Sequence, residues 1–260
     1  MAVPQQILAC LYAMESLAET CLRMPWGTVI TDSRYPLIYD ANHAAVLEPA
    51  PSLTLAEIRA VLLPALASAG ATHEHIEFVD IDEPPRARQE LARELGQANH
   101  DVLMVYEGPQ AEPSTDAVVE EMPEPDEAFW TVYRETRNEF GEAFRAEVVD
   151  QLVARDREIF VPAGLRIFAG LIGGELAGFT SLLSMAGTGY IDNVVTRPAF
   201  RRRGVASATV TRAVAAALAG GDTALFLFAE DGGKPQGLYE RLGFRVQARA
   251  IGFTQPLTSA

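Results

Sequence analysis

Three consecutive arginines, Arg201, Arg202 and Arg203, stand directly before Gly204, Val205 and Ala206. Guanidinium groups make charge-assisted, partly bidentate contacts to phosphate. A glycine lets the backbone approach an anion closely, and the small Ala206 keeps the first helical turn open. An apolar strand pattern ends at Pro198, and an alanine-rich helical pattern runs from Val205 to about Leu218. The first N–H groups of such a helix lack intrahelical partners and carry the positive end of its dipole. A strand, a turn rich in arginine and a helix start together make a diphosphate site.

Other elements must hold that turn in place. Downstream come a short strand (Ala224–Ala229), a polar Gly/Pro segment (Glu230–Gly237), the run Leu238-Tyr239-Glu240-Arg241-Leu242-Gly243-Phe244, and a last strand. Upstream, amphipathic patterns predict helices over Glu127–Asn138 and Glu142–Arg157. Strands follow over Leu165–Gly170 and Glu175–Leu183, joined by a Gly173-Gly174 turn, and then over Tyr190–Thr196.

The order V-x-x-P-x-x-R-x-x-G-x-A, helix, strand, then a helix with L-Y-x-x-L-G-F resembles the GNAT superfamily of acyl-CoA-dependent N-acyltransferases, over about Glu127–Phe253. The resemblance implies an α/β fold with a mixed sheet, and acetyl-CoA as the acyl donor. It puts the pyrophosphate on the backbone amides of Arg202–Ala206, with Arg201 and its neighbours supplying charge. The pantetheine arm would pair like an extra strand with Val194, Val195 and Thr196. Tyr239 matches the tyrosine that protonates the departing thiolate. Asp192 matches an acidic residue acting as a direct or water-relayed base. By strand alternation Asp192 shares a face with Tyr190 and Val194, opposite Asn193 and Val195. Two positions depart from the family pattern: Gly232 stands where many relatives carry a cofactor-contacting asparagine, and Leu227 where one protein-modifying subgroup carries a glutamate base. Glu230 is a reserve base.

The first half repeats the pattern without its chemistry. Leu47-Glu48-Pro49 at a strand end, a helix (Leu55–Ala69), a strand (Ile76–Val79), a helix (Arg86–Leu95) closing on Gly96, and a strand (Val102–Tyr106) follow the order of Thr196-Arg197-Pro198 through Gly243 and beyond. Such similarity reads as duplication of one supersecondary unit. In place of the arginine turn stands Ala50-Pro51-Ser52-Leu53-Thr54-Leu55, and Ala92 matches Tyr239. The expectation is two tandem GNAT-like folds: residues 1–122, a degenerate module that does not bind cofactor, and residues 123–260, catalytic. Gly108–Pro125, proline-rich and acidic, marks the boundary, and Ala117-Val118-Val119 reads as a final strand of the first module. A helix over Gln5–Arg23 and strands over Tyr35–Tyr39 and Ala44–Leu47 complete that module.

The net charge is −14, and Met1–Pro125 carries 20 acidic against 6 basic residues while Asp126–Ala260 carries 15 of each. An acidic half argues against a nucleic-acid surface and keeps the chain soluble. No apolar run is long enough for a membrane span, and no secretory signal opens the chain, so a cytoplasmic protein is expected. Cys10 and Cys21, about three turns apart on one helix face, cannot bridge there. His73, His75 and Glu77 alternate on a strand, a spacing compatible with a metal, but without a nearby further ligand no metal is expected. Trp130 and Tyr133 form an apolar stripe on their helix, core or acceptor wall. The expected activity is transfer of an acetyl group to a primary amine of a small-molecule or peptide acceptor by direct attack. The alternative is a non-catalytic acyl-CoA-binding sensor or interaction module. A homodimer is one assembly the sequence allows.

Overall fold

The computed structural model describes residues 3–79, 84–108, 114–137 and 145–257. The chain forms two compact units, each with a mixed sheet and helices. One comprises Met1–Leu103, Ala229–Asp231 and Val246–Ala260; the other comprises Met104–Phe228 and Gly232–Arg245. The units therefore do not part at the expected residue 122. Strand β5 (Asn99–Tyr106) leaves the first unit at Met104, and strand β11 (Phe244–Pro256) returns to it at Val246.

In the N-terminal unit, helix α1 (Gln5–Glu15) is followed by strands β1 (Thr20–Met24), β2 (Gly27–Thr31) and β3 (His43–Val46), helix α2 (Leu55–Ala69), strand β4 (His73–Val79) and helix α3 (Arg86–Leu95). The strand order is β1-β2-β3-β4-β11, with β3 and β4 parallel and the other pairs antiparallel. Val29, Ala44, Val46, Ile76, Phe78, Ile251 and Phe253 point at α2 and build the core with Ile58, Leu62 and Leu66. Helix α1 packs on β2 and buries Ile7, Cys10 and Leu11.

Two expectations fail here. Helix α1 stops at Glu15 instead of Arg23, and Cys21 lies in β1, because Thr20–Met24 pairs residue for residue with β2. Neither cysteine is part of a disulfide. Tyr35–Tyr39 is not a strand but a chain of turns ending in a 3-10 turn, Tyr39–Ala41. Asn42 explains it: its amide donates to the carbonyls of Tyr35 and Ile38 at 2.9 and 3.0 Å, and its Oδ1 accepts from Asp32 N at 2.9 Å. A buried side chain thus satisfies backbone groups that a ladder would otherwise have taken.

In the second unit, strand β6 (Val118–Met122), helices α4 (Glu127–Arg137) and α5 (Ala146–Arg155), strands β7 (Arg166–Ile172), β8 (Glu175–Met185) and β9 (Thr188–Thr196), helix α6 (Val205–Ala219), strand β10 (Ala224–Glu230) and helix α7 (Lys234–Arg241) follow in order. The sheet runs β10-β9-β8-β7-β6, with β9 and β10 parallel and the rest antiparallel. Strand β6 pairs with β7, so the Ala117-Val118-Val119 strand belongs to this unit rather than closing the first. The two-residue Gly173-Gly174 turn joins β7 to β8 as its φ values of 61° and 81° require. Asn138 and residues 142–144, expected at helix ends, lie outside the described residues, and α5 gives way at Asp156 to a π-helical turn, Asp156–Phe160.

Helices α4 and α5 cover one face of this sheet through Phe129, Trp130, Tyr133 and Val153 against Ile167, Phe179 and Val195. Helix α6 covers the other, where Thr209 bonds Thr180 at 2.7 Å. Helices α2 and α6 are each 15 residues long and each links two parallel strands, so the two units share this strand–helix–strand arrangement.

Candidate active site

Two glycines seat the start of α6. A Cβ on Gly170 would stand 2.8 Å from Val205 Cγ1, and one on Gly178 would stand 3.0 Å from it and 2.3 Å from the Val195 carbonyl. Only bare backbone on β7 and β8 lets the first helical residue come down onto the sheet. The preceding turn is held in left-handed backbone at Arg202 (φ 62°) and Gly204 (φ 77°). A non-glycine residue there carries strain of a kind that collects at ligand-holding loops. Gly204 is the N-cap, no side chain caps it, and the first turn holds no acidic residue. The helix start can thus take an anion.

The matching helix start in the other unit is closed by its own carboxylates. Thr54 and Glu57 form a capping box, Thr54 N donating to Glu57 Oε2 at 2.8 Å and Glu57 N to Thr54 Oγ1 at 3.3 Å. Leu55 N donates to Glu90 Oε2 at 2.9 Å. Two negative groups already occupy the amides of α2 where α6 offers its own.

The three arginines are exposed and differently engaged. Arg201 Nε donates to the Thr196 carbonyl at 3.1 Å, and Arg203 pairs with Asp116. Thr115 Oγ1 donates to the Arg203 carbonyl at 2.8 Å. An exposed ion pair of this kind contributes about 0–1 kcal/mol, too little to keep Arg203 from a diphosphate.

Strand β9 carries the next part. It pairs with β10 only from Thr188 to Tyr190, and the ladder ends at Tyr190/Phe226. Beyond that point Asn193 has φ 52°, and the register with β8 shifts between Phe179 and Ser181. Asn193 and Val194 both stand opposite Thr180, which makes this a β-bulge. The bulge corrects the expected facing: Asp192 and Val195, not Asp192 and Val194, share the side facing α4, since they oppose Ser181 and Phe179. Alternation counted from sequence cannot foresee an inserted residue. Val194, Val195 and Thr196 lie on the stretch of β9 that has parted from β10, with backbone available to an extended ligand.

Tyr239 sits on α7 and is buried, its ring edge-to-face with Phe244 at 6.2 Å. Burial, and after it the Asp192 charge, push its phenol up, so it stays protonated at physiological pH. Asp192 itself is exposed. Glu230 is exposed at the end of β10.

Sequence reading missed a buried polar group beside Asp192. Tyr133 Oη donates to Asp156 Oδ2 at 2.8 Å and accepts from Arg137 Nη2 at 3.2 Å, with the guanidinium 4.9 Å from the ring centroid. Asp156 is 6% exposed, and burial raises its carboxyl to about 6 against the pull of Tyr133 and Arg137. The Arg137 guanidinium is held charged against burial by Tyr133, Asp192 and Asp156. Trp130 and Tyr133 are core residues, as their stripe suggested, but Tyr133 adds this polar contact. Only the polar end of an otherwise apolar helix face, Tyr133 and Arg137 four apart, hinted at it.

Among the described residues no group of three or more His, Cys, Asp or Glu side chains could hold a metal ion, and no helix is long and apolar enough to cross a membrane.

The model of the acetyltransferase (GNAT) family matches residues 127–244. No curated protein matches the chain. Among solved structures, a conserved protein of unknown function from Staphylococcus epidermidis superposes with a TM-score of 0.70 at 14% identity, over 91% of this chain and 93% of that one. A GCN5-related N-acetyltransferase from Kribbella flavida gives 0.68 at 16% identity, over 99% and 97%. A tandem GNAT protein from the clavulanic acid biosynthesis pathway gives 0.54 at 14% identity, over 78% and 70%. These likenesses establish a shared fold over nearly the whole length in the first two cases. The segment that matches the acetyltransferase (GNAT) family model, residues 127–244, is also the one that holds the open helix start and the parted strands.

Proposed function

We propose that the protein transfers an acetyl group from acetyl-CoA to a primary amine, by direct attack within a ternary complex, and that its second unit alone carries the chemistry. The observation that carries this reading is the uncapped, carboxylate-free start of α6 beside the parted strands β9 and β10, with a protonated tyrosine on α7. Amides of Arg202–Ala206 and the side chains of Arg201–Arg203 would hold the pyrophosphate. The free backbone of Val194–Thr196 would pair with the pantetheine arm as an added strand.

The amine must be neutral to attack, and Asp192, exposed on the sheet face toward α4, takes its proton directly or through water. The new C–N bond forms as the C–S bond breaks. Tyr239 gives its proton to the departing thiolate, a task for which a phenol kept from ionising is suited. The N-terminal unit, whose matching helix start is filled by Glu57 and Glu90, would bind no acyl-CoA there. The acceptor is a small molecule or a peptide amine, and the site acts without nucleic acid.

Isothermal titration of acetyl-CoA into wild type and into Arg201→Glu/Arg203→Glu tests the reading. One site per chain, lost in the charge-reversed variant, supports it. Two sites per chain would overturn the silence of the N-terminal unit, and no binding would overturn the acetyl donor. Turnover with any amine then separates the enzyme from a non-catalytic acyl-CoA sensor.

A further inference from the structure

The N-terminal unit carries a polar face that acyl transfer does not use. Opposite the α2 core, one row across the sheet reads Thr28, Ala45, Glu77 and Gly252 on β2, β3, β4 and β11. The next row reads Ile30, His43, His75 and Thr254, with the His43 and His75 rings 5.8 Å apart and His75 Nδ1 2.7 Å from Thr254 Oγ1. Glu15, at the end of α1, reaches His43 Nε2 at 3.3 Å, and the Tyr39 ring tilts against His75 at 4.9 Å. The strand neighbours of Glu77 are Ala45 and Gly252, with nothing larger than a methyl group, although the His75 ring leans over Gly252.

Several buried polar atoms on this face have no hydrogen-bond partner: Glu15 Oε2, Thr28 Oγ1 and His43 Nδ1, with His73 Nε2 beside them. Thr28 is 0%, His43 5% and His73 8% exposed. A buried polar group left without its hydrogen bond is destabilising, so several on one face mark something more than packing. Charge points the same way. Burial opposes the His43 proton, but Glu15, Glu77 and Asp40 outweigh it and raise the imidazole to about 9. Burial lifts Glu77 to about 7, with Asp40, Glu15 and Asp101 adding to the rise against the pull of His43. His75 is driven down to about 3 by burial, His43 and His73, and stays neutral. Three carboxyl groups, Glu15, Glu77 and Asp40, thus act on a single imidazolium, and Glu77 is partly exposed, which gives a way in.

We propose that this face of the N-terminal unit binds a small protonated primary amine that also carries a hydroxyl group. The ammonium would donate to Glu77 and to Glu15 Oε2, and the hydroxyl would meet Thr28 Oγ1 and His43 Nδ1–H. The unit then has a ligand of its own, in place of the anion its duplicated helix start has given up.

Ethanolamine is the probe, titrated calorimetrically at neutral pH without acyl-CoA, with choline as the control that has a hydroxyl but no N–H donor. Four heavy atoms cap the affinity at about 6 kcal/mol, so a Kd between roughly 0.1 and 10 mM is expected. Glu77→Gln is expected to weaken ethanolamine at least tenfold and Thr28→Val about fivefold, while Asp192→Asn leaves it unchanged and choline does not bind. No ethanolamine binding at about 20 mM overturns the proposal. So does binding that both variants retain, which would move the amine to the acceptor cleft of the second unit. Thr28→Val removes an unpartnered hydroxyl at constant shape, so it decides the matter even if Glu77→Gln fails to fold.

Discussion

The Tyr133 phenol donates a 2.8 Å hydrogen bond to Asp156 Oδ2, where α5 gives way to a π-helical turn. That bond does not make Asp156 a comfortable carboxylate, because burial outweighs it and lifts the group from 3.8 to about 6. A carboxyl with a raised folded pKa contributes stability fully below its unfolded pKa and loses it as pH climbs through the folded value. Stability should therefore fall between about pH 4 and 6, by on the order of 3 kcal/mol if Asp156 acts alone. Asp156→Asn, whose Oδ1 still accepts from Tyr133, should flatten that slope and raise the melting temperature at pH 7. Thermal melts of both proteins from pH 4 to 7.5 check it.

Tyr239→Phe keeps the ring against Phe244 and removes the proton. We expect kcat to drop by about 10²-fold, with the KM for acetyl-CoA within twofold of wild type. Steady-state kinetics with an identified acceptor is the measurement. An unchanged kcat across pH would remove Tyr239 as the acid.

Gly178→Ala would put a methyl 2.3 Å from the Val195 carbonyl and 3.0 Å from Val205 Cγ1. Backbone must move, at a cost of about 1–3 kcal/mol, and what moves is the start of α6 and the free stretch of β9. Loss of acyl-CoA affinity by tenfold or more should accompany the lower melting temperature. A variant equally destabilised elsewhere in the second unit, such as Val153→Ala, should keep its affinity.

Asp116→Asn releases Arg203 from its exposed pair. Acetyl-CoA binding should tighten, but by no more than about fivefold, because such pairs contribute under about 1 kcal/mol. The gain should shrink as salt is raised. Calorimetry at two ionic strengths tests it.

Thr54→Ala breaks the capping box and should cost about 1 kcal/mol of stability. Acetyl-CoA stoichiometry should stay at one per chain, since Glu90 still fills the α2 start. A second bound equivalent would show that the capping box alone had closed that site.

Local order settled most of the fold and the place of the turn that opens α6. Helix α2 and helix α3 run over the residues their patterns predict, and the α6 start and the Gly173-Gly174 hairpin are where Arg201–Ala206 and the glycine pair put them. Each depends on neighbours in sequence: caps, periodicity and turn residues. What lay outside that reach depended on contacts between distant residues. The unit boundary moved because β5 and β11 each pass from one unit to the other, which no composition shift records. The facing of Asp192 changed because one bulged residue, Asn193, is stabilised against β8, its amide donating to Ser181 Oγ at 3.1 Å. The His43–Glu15 and Tyr133–Asp156 contacts join residues 28 and 23 positions apart, on elements that meet only when the sheet is covered. A residue type and its spacing tell what chemistry is available; burial decides its protonation state, and burial exists only once the chain has folded.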